Sequence, residues 1–262
     1  MLTTPTVKLH VEERGTGDPI LCIHGTSSSA ALWSDAVERL AQVGRVIAYD
    51  RRGCARSERP VPYERTSVAE HADDAAALLE ALGAAPAVVI GRSYGGTVAL
   101  ALALRHPERV RALAVLEGDA TRELAPATAV WIDALAARLR AVAAEAGVDA
   151  VAETLIRDVA GDDAWRSFPP EVRRILIANG PSIVAELNGE WWLETDAAAL
   201  AAIDQPVLLV AAEDSSPELR APTESLARAI PGARLEVVGG GHLIDPAHPA
   251  VLAFVADVLG GP

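Results

Sequence analysis

The chain has 262 residues, half of them apolar and 4% aromatic, with a net charge of −13. This length and apolar content suit one globular core with an inserted subdomain, and the acidic balance argues against nucleic acid as a partner. No run approaches the ~18 apolar residues of a membrane span, and the N-terminus does not resemble a secretory leader. We therefore expect a cytoplasmic protein that does not bind membranes, either a monomer or a homodimer.

In chain order, short apolar runs alternate with helical patterns. The predicted strands are 7–11, 20–23, 46–49, 87–90, 113–116, 207–210 and 235–238, and the predicted helices between them are 31–42, 68–82, 97–105, 217–229 and 249–259. Strands that alternate with helices are typical of right-handed crossover connections. The pattern predicts an α/β fold with a mostly parallel central sheet flanked by helices.

The alternation stops between the strands at 113–116 and 207–210, where helical segments are separated by glycines and prolines. We interpret residues 121–200 as a helical cap inserted into a core domain formed by residues 1–120 and 201–262. Four of the five tryptophans lie in this segment, namely Trp131, Trp165, Trp191 and Trp192. Large flat side chains over a catalytic edge would suit an apolar substrate, so these four are candidate pocket residues.

The segment VVIGRSYGGTVALA at 88–101 contains G-x-S-x-G between a predicted strand and a predicted helix. In such a nucleophile elbow the serine takes strained backbone angles, and only glycines fit beside it. Ser93 is therefore the candidate nucleophile. The alternative is a glycine-rich turn in which Ser93 only caps the helix.

A serine nucleophile requires a histidine base and an acid that orients that base. His242 follows a predicted strand in the glycine-rich segment VVGGGHLIDP, which suits a side chain that must reach over the sheet edge. His106 and His248 are better explained as helix-boundary residues. We therefore assign His242 as the candidate base.

Five segments occur in an order and spacing that resemble the α/β-hydrolase superfamily across nearly the whole chain. They are ILCIHGTSSS, AYDRRGCARS, IGRSYGGTVALALA, VLLVAAEDSSPE and VVGGGHLIDPAHP. The resemblance implies an α/β-hydrolase fold with a helical cap and a serine nucleophile. It also implies an oxyanion hole made by the backbone N–H groups of Thr26 and Tyr94, with His24 holding the loop before Thr26.

The acid remains open between two carboxylates. Asp214 follows the strand at 207–210, where most of the family keeps its acid, and it is the preferred candidate. Glu117 ends the preceding strand, where some members, including certain lactone hydrolases, place theirs. Arg92, next to the nucleophile, is a possible pocket residue.

These residues predict a hydrolase of carboxylic esters or lactones of hydrophobic small molecules, with no cofactor and no metal. Two other functions stay open. One applies the same triad to carbon-carbon bond hydrolysis or cofactor-free haloperoxidase chemistry, because the site and not the fold determines the reaction. The other is a non-catalytic, ligand-binding receptor of the same fold.

Overall fold

The computed structural model describes residues 1–119, 121–189 and 191–260. Its strands are β1 (Leu2–Thr3), β2 (Lys8–Leu9), β3 (Val11–Arg14), β4 (Pro19–Ile23), β5 (Arg45–Tyr49), β6 (Ala87–Arg92), β7 (Val110–Leu116), β8 (Val207–Ala212) and β9 (Arg234–Val238). In the described residues β3 to β9 form a seven-stranded sheet, in the order β3-β5-β4-β6-β7-β8-β9. Within this seven-stranded sheet, as far as the structure describes it, only the pair β3 and β5 is antiparallel. The predicted mostly parallel α/β sheet is confirmed.

The helices cover both faces of the sheet and form the long insertion. They are α1 (Ser34–Leu40), α2 (Val68–Ala81), α3 (Tyr94–Arg105), α4 (Pro126–Ala146), α5 (Asp149–Ala160), α6 (Asp162–Ser167), α7 (Pro170–Ala178), α8 (Gly180–Asn188), α9 (Ala197–Ala201), α10 (Pro217–Ala229) and α11 (Pro249–Leu259). Each helix predicted outside the insertion is present. A 3-10 turn, Ala30–Trp33, precedes α1 in place of the first turn of the predicted helix.

Two apolar layers enclose the sheet, because successive strand side chains point to opposite faces. On one face Val89 packs in a cluster with residues of α2, α3 and α10. On the other face Ile90 packs with residues of α1 and α11. Burial on both faces holds the parallel strands together, and their carboxyl ends meet at one edge. Loops after β6, β7, β8 and β9 therefore converge there.

The predicted edge strand at 7–11 is divided in two. Leu9 in β2 pairs with Leu2 in β1, whereas β3 begins at Val11 and joins the main sheet. Between them, the His10 N–H donates to the hydroxyl of Ser57 at 2.9 Å instead of joining a strand ladder. A side chain from a distant loop thus interrupts the strand, which local sequence patterns do not reveal.

Helices α4 to α8 form the insertion between β7 and β8, with an apolar cluster of their own. Leu139 in α4, Val151 in α5 and Ile183 in α8 are fully buried in it. Helix α9 returns to the sheet, since its Leu200 packs in the α2 and α3 cluster. None of the described helices combines the length and the apolarity that crossing a membrane requires.

Candidate active site

Ser93 lies in the tight turn between β6 and α3. Its backbone has φ 56° and ψ −130°, a conformation that is strained for a residue with a side chain. A Cβ on Gly91 would lie 2.2 Å from the carbonyl oxygen of Gly95, and a Cβ on Gly95 would lie 2.2 Å from that of Ile23. The glycines therefore allow the turn to close, and Ser93 stands at the edge where the strands end.

The loop after β9 brings His242 against Ser93. The Nε2 atom of His242 is 3.0 Å from the Oγ of Ser93, and its Nδ1 is 2.7 Å from Oε2 of Glu117. Both His242 and Glu117 are buried. With a neutral imidazole, Nδ1–H donates to the carboxylate and Nε2 accepts from the serine hydroxyl. The three side chains form one continuous hydrogen-bonded series.

The carboxylate of Glu117 is held from two further directions. Its Oε1 accepts the N–H of Ala212 at 2.8 Å, and its Oε2 accepts the hydroxyl of Ser215 at 2.8 Å. The residue has φ 45°, and its own N–H donates to the carbonyl of Val210 at 2.9 Å. These bonds compensate its burial and fix the oxygen that faces His242.

The preferred prediction that Asp214 contacts His242 is wrong, and the alternative, Glu117, makes that contact. Strands β7 and β8 are neighbours, so both carboxylates start from the same sheet edge. In the loop after β8, however, the Asp214 N–H donates to the carbonyl of Gly240 at 2.9 Å, and the residue is exposed. That turn directs Ser215 towards Glu117.

A cavity lies between the sheet edge and the insertion, with Ser93, His242 and Glu117 in its wall. Most of the opposite wall is apolar and comes from α4 and α5 of the insertion: Trp131, Ile132, Leu135, Leu155, Ile156 and Val159. The insertion therefore covers the hydrogen-bonded series and gives the space above it an apolar character.

Two of the four candidate pocket tryptophans line this cavity and two do not. Trp131 and Trp191 are in its wall. Trp165 is buried inside the insertion, edge-on to Phe168 at 6.5 Å between ring centroids. The prediction that it lines the pocket is therefore wrong. Trp192 packs in a small separate cluster and is likewise absent from the cavity wall. Helical periodicity does not distinguish the outer face of a cap from its own core.

Arg92 lines the cavity, as expected of a possible pocket residue, but its polar contact is with the core. Its Nη1 donates to the carbonyl of Ile244 at 3.1 Å, and its guanidinium lies 5.7 Å from the ring centroid of Trp33. Burial lowers the pKa of Arg92 to about 10, although the charge of Asp245 raises it. The guanidinium thus sits on the face of the sheet covered by α1 and α11.

The residues expected to form the oxyanion hole lie beside Ser93. Thr26 is in the cavity wall, and a Cβ on its neighbour Gly25 would lie 3.2 Å from the Cβ of Ser93. Tyr94 is the first residue of α3, a position whose N–H has no acceptor within the helix. His24 holds the loop, since its Nε2 accepts the N–H of Arg51 at 3.0 Å. Burial, and then the charge of Arg51, lower the pKa of His24 to about 3.

A buried ion pair that the sequence analysis missed joins this loop to the insertion. Arg51 donates to Oε1 of Glu186 in α8 at 2.8 Å, and the hydroxyl of Thr26 donates to Oε2 of Glu186 at 2.8 Å. The Arg51 guanidinium also lies 4.8 Å from the ring centroid of Tyr94. Burial by itself lowers the pKa of Arg51, but the nearby charge of Glu186 helps to hold that pKa above its ordinary value. Nothing in the spacing of these residues predicts the contact.

Asp119 was also missed, although it follows Glu117 closely at the end of a predicted strand. It lines the same cavity as Ser93 and His242. Its N–H donates to the hydroxyl of Thr97 in α3 at 2.9 Å. The sequence does carry a signal for it, since Glu117 and Asp119 form an acidic pair directly after β7.

Comparisons with known proteins identify the family and the fold of the chain. A family model described as alpha/beta hydrolase fold matches residues 18–245. A putative carbamate hydrolase, RutD, from Azorhizobium caulinodans is 34% identical over 257 residues, which cover 93% of this chain and 91% of that protein. A 2-hydroxymuconate semialdehyde hydrolase from Pseudomonas sp. (strain CF600) is 40% identical over 119 residues, so the match spans only 44% of this chain and 41% of that enzyme.

Among solved structures, a thermophilic esterase from Thermogutta terrifontis superposes with a TM-score of 0.75 at 27% identity, covering 98% of this chain and 95% of that one.

Proposed function

The chain belongs to the α/β-hydrolase fold family, and on that premise we propose that it is a serine hydrolase that cleaves a carboxylic ester or lactone of a hydrophobic small molecule. The observation that carries the proposal is the hydrogen-bonded series from Ser93 through His242 to Glu117, with contacts of 3.0 and 2.7 Å. A serine hydroxyl attacks a carbonyl at neutral pH only when a base takes its proton. His242, whose Nε2 lies 3.0 Å from the Oγ of Ser93, is the proposed base.

In the first half of the proposed reaction, the Oγ of Ser93 attacks the carbonyl carbon of the ester and its proton moves to Nε2 of His242. The imidazolium that forms is stabilised by the carboxylate of Glu117 on Nδ1–H. The tetrahedral intermediate then collapses, and the alcohol leaves with the proton from Nε2. The product of this half is an acyl group on Ser93.

Negative charge develops on the carbonyl oxygen during this attack. The backbone N–H groups of Thr26 and Tyr94 are the proposed donors to it, because both residues lie beside Ser93 and Tyr94 begins α3. The helix N-terminus adds a favourable partial positive charge at the same point. In the second half, water attacks the acyl group with His242 again as base, which releases the acid and restores Ser93.

The apolar wall supplied by α4 and α5 supports a hydrophobic substrate. Trp131 and Leu135 offer flat and branched apolar surface to the group that lies above Ser93. For a lactone the leaving oxygen stays attached to the acyl group, so the same site opens the ring without a separate alcohol product.

The proposal is tested by labelling with an alkyl fluorophosphonate and by an ester and lactone panel. We expect the wild type to gain one phosphonyl adduct and to hydrolyse apolar esters, and Ser93→Ala to do neither. Ser28→Ala is the matched control, because Ser28 lines the same cavity but its hydroxyl has no partner among the described residues. A wild type without an adduct would contradict an activated serine.

A second candidate, hydrolysis of a carbon-carbon bond, is favoured by the partial match to the Pseudomonas hydrolase. The same nucleophile and base would then act on an aldehyde or ketone carbonyl instead of an ester. A protein that takes the phosphonyl adduct and rejects every ester and lactone, yet cleaves 2-hydroxymuconate semialdehyde, would establish this candidate over the first.

A further inference from the structure

We propose that Asp119 is a specificity-determining residue whose carboxylate accepts a hydrogen bond from a donor group of the substrate, a hydroxyl, an amide N–H or an ammonium, close to the scissile carbonyl. The inference deepens the proposed function and rests on it. It follows from where Asp119 lies, from what surrounds its carboxylate, and from the chemistry that such a carboxylate can perform.

The position of Asp119 is set by the same strand end that supplies Glu117. The bond from its N–H to the hydroxyl of Thr97 anchors the backbone against α3, at 2.9 Å. The residue lines the cavity together with Ser93 and His242. A substrate carbonyl on Ser93 therefore brings its neighbouring atoms within the same small space as the Asp119 side chain.

The surroundings of this carboxylate are largely apolar. Trp131, Trp191 and Leu219 line the same cavity. Burial raises the pKa of Asp119 to about 6, although the charge of His242 and a hydrogen bond from the Trp191 side chain lower it. A carboxylate held at such cost in a cavity beside a nucleophile is typical of a group that contacts substrate.

The guanidinium of Arg92, which lines the same cavity, does not neutralise the charge of Asp119. Arg92 reaches the cavity from the layer of α1 and α11, where its guanidinium contacts Ile244 and Trp33. Asp119 belongs to the opposite layer, through Thr97 of α3 and through Trp191, which packs against the same cluster. A carboxylate has more acceptor sites than the bond from the Trp191 side chain uses, so Asp119 keeps acceptor capacity for a group that fills the cavity it lines.

An ionised carboxylate accepts hydrogen bonds and offers none. A substrate donor regains an interaction that burial removes, whereas an alkyl group leaves the remaining acceptor sites of the carboxylate unsatisfied. A substrate carboxylate would be repelled. The structure therefore favours esters or lactones with an O–H, N–H or ammonium near the carbonyl over alkyl and anionic analogues.

The test compares substrates of one size that differ in a single group. The acyl series is the phenyl esters of butanoic, 3-hydroxybutanoic and 3-aminobutanoic acids and the phenyl monoester of succinic acid, followed by phenol release. The alcohol series is propyl butanoate against 2-hydroxyethyl butanoate. We expect kcat/KM of the wild type to favour the donor-bearing member of at least one series by about tenfold or more.

Asp119→Ala should bring that ratio to within about twofold of unity while the plain butanoate is still hydrolysed. Asp119→Asn keeps the shape of the side chain and removes its charge, so the preference for the ammonium should be lost even if the alanine variant folds poorly. Asp214→Asn, a carboxylate on the exposed loop after β8, is the matched control and should keep the wild-type ratio.

The outcomes separate the inference from the proposed function. A wild type that hydrolyses the butanoates without any preference for donors overturns the inference alone, as does a preference that survives in Asp119→Ala. An equal fall for plain and donor-bearing esters in both variants would also overturn it, because Asp119 would then act through His242. A wild type that takes no phosphonyl adduct and cleaves no ester overturns the proposed function, and the inference with it.

Discussion

The hydroxyl of Thr26 donates to Oε2 of Glu186 at 2.8 Å, although the two residues are 160 positions apart. The bond joins the loop beside Ser93 to α8 of the insertion, and Arg51 holds the other oxygen of the same carboxylate. The backbone of Thr26, which we propose as an oxyanion donor, is therefore positioned by the cap. Under the proposed function, this one carboxylate links the cap to the loop that supplies an oxyanion donor.

Replacement of the Thr26 hydroxyl tests this link. In Thr26→Val the side chain keeps its volume but cannot donate to Glu186, so the loop loses one of its anchors. We expect kcat for an apolar ester to fall about tenfold, less than when an oxyanion donor is removed outright, with KM nearly unchanged. Thr26→Ser retains the donor and should restore most of kcat. An unchanged kcat in Thr26→Val would show that the bond does not position the loop.

The assignment of the acid is tested by exchanging each carboxylate for its amide. Glu117→Gln disturbs the partner of His242 Nδ1, and we expect kcat to fall by roughly 10³ to 10⁴ with the fold intact, as in other triads. Asp214→Asn should leave kcat within about twofold of the wild type, because the residue is exposed and its backbone makes the local contact. Steady-state kinetics on one ester decide the matter. The reverse order of effects would return the acid to Asp214.

The raised pKa of Asp119 predicts a pH-dependent cost to stability. Its folded-state pKa of about 6 lies above the ordinary value of 3.8, so folding favours the protonated form. The stabilisation is fully present below about pH 4 and is lost as the pH rises through about 6. Solvent screens a partly exposed side chain and reduces this effect. Between pH 4 and pH 7 we therefore expect the free energy of unfolding of Asp119→Asn to rise by about 2 kcal/mol relative to that of the wild type.

Urea unfolding at pH 4, 5.5 and 7 measures this difference. Asp214→Asn serves again as the control and should show no such trend, since its carboxylate is exposed in the folded protein. A difference between Asp119→Asn and the wild type that stays constant over this range would mean that the Asp119 carboxyl is not perturbed by folding.

The glycines of the nucleophile elbow predict an effect on the free energy of unfolding that does not involve catalysis. In Gly95→Ala the new methyl group would lie 2.2 Å from the carbonyl oxygen of Ile23, so the helix and the strand must move apart. We expect a loss of more than about 3 kcal/mol in the free energy of unfolding. Gly239→Ala is the matched control, because a Cβ there meets nothing within 4 Å, and it should change stability by less than about 1 kcal/mol. Thermal unfolding of the two variants provides the comparison.

The local pattern of the sequence determined the layered fold. The alternation of buried strands and helices, the glycines around Ser93 and the glycine-rich loop before His242 are local features with local physical reasons. Strand period, helix period and steric room at a turn each act over a few residues. The α/β class and the nucleophile elbow could therefore be predicted, and the parallel sheet then brings the loop of His242 to the same edge as Ser93.

Only the tertiary structure decided which carboxylate completes the series and what faces the cavity. Asp214 and Glu117 start from the same sheet edge, and the direction of the loop after β8 separates them. Likewise, the packing of α6 inside the insertion removed Trp165 from the cavity, and the approach of α8 brought Glu186 to Thr26. These outcomes depend on contacts between segments that lie far apart in the chain. No short sequence pattern determines the free energies of such contacts.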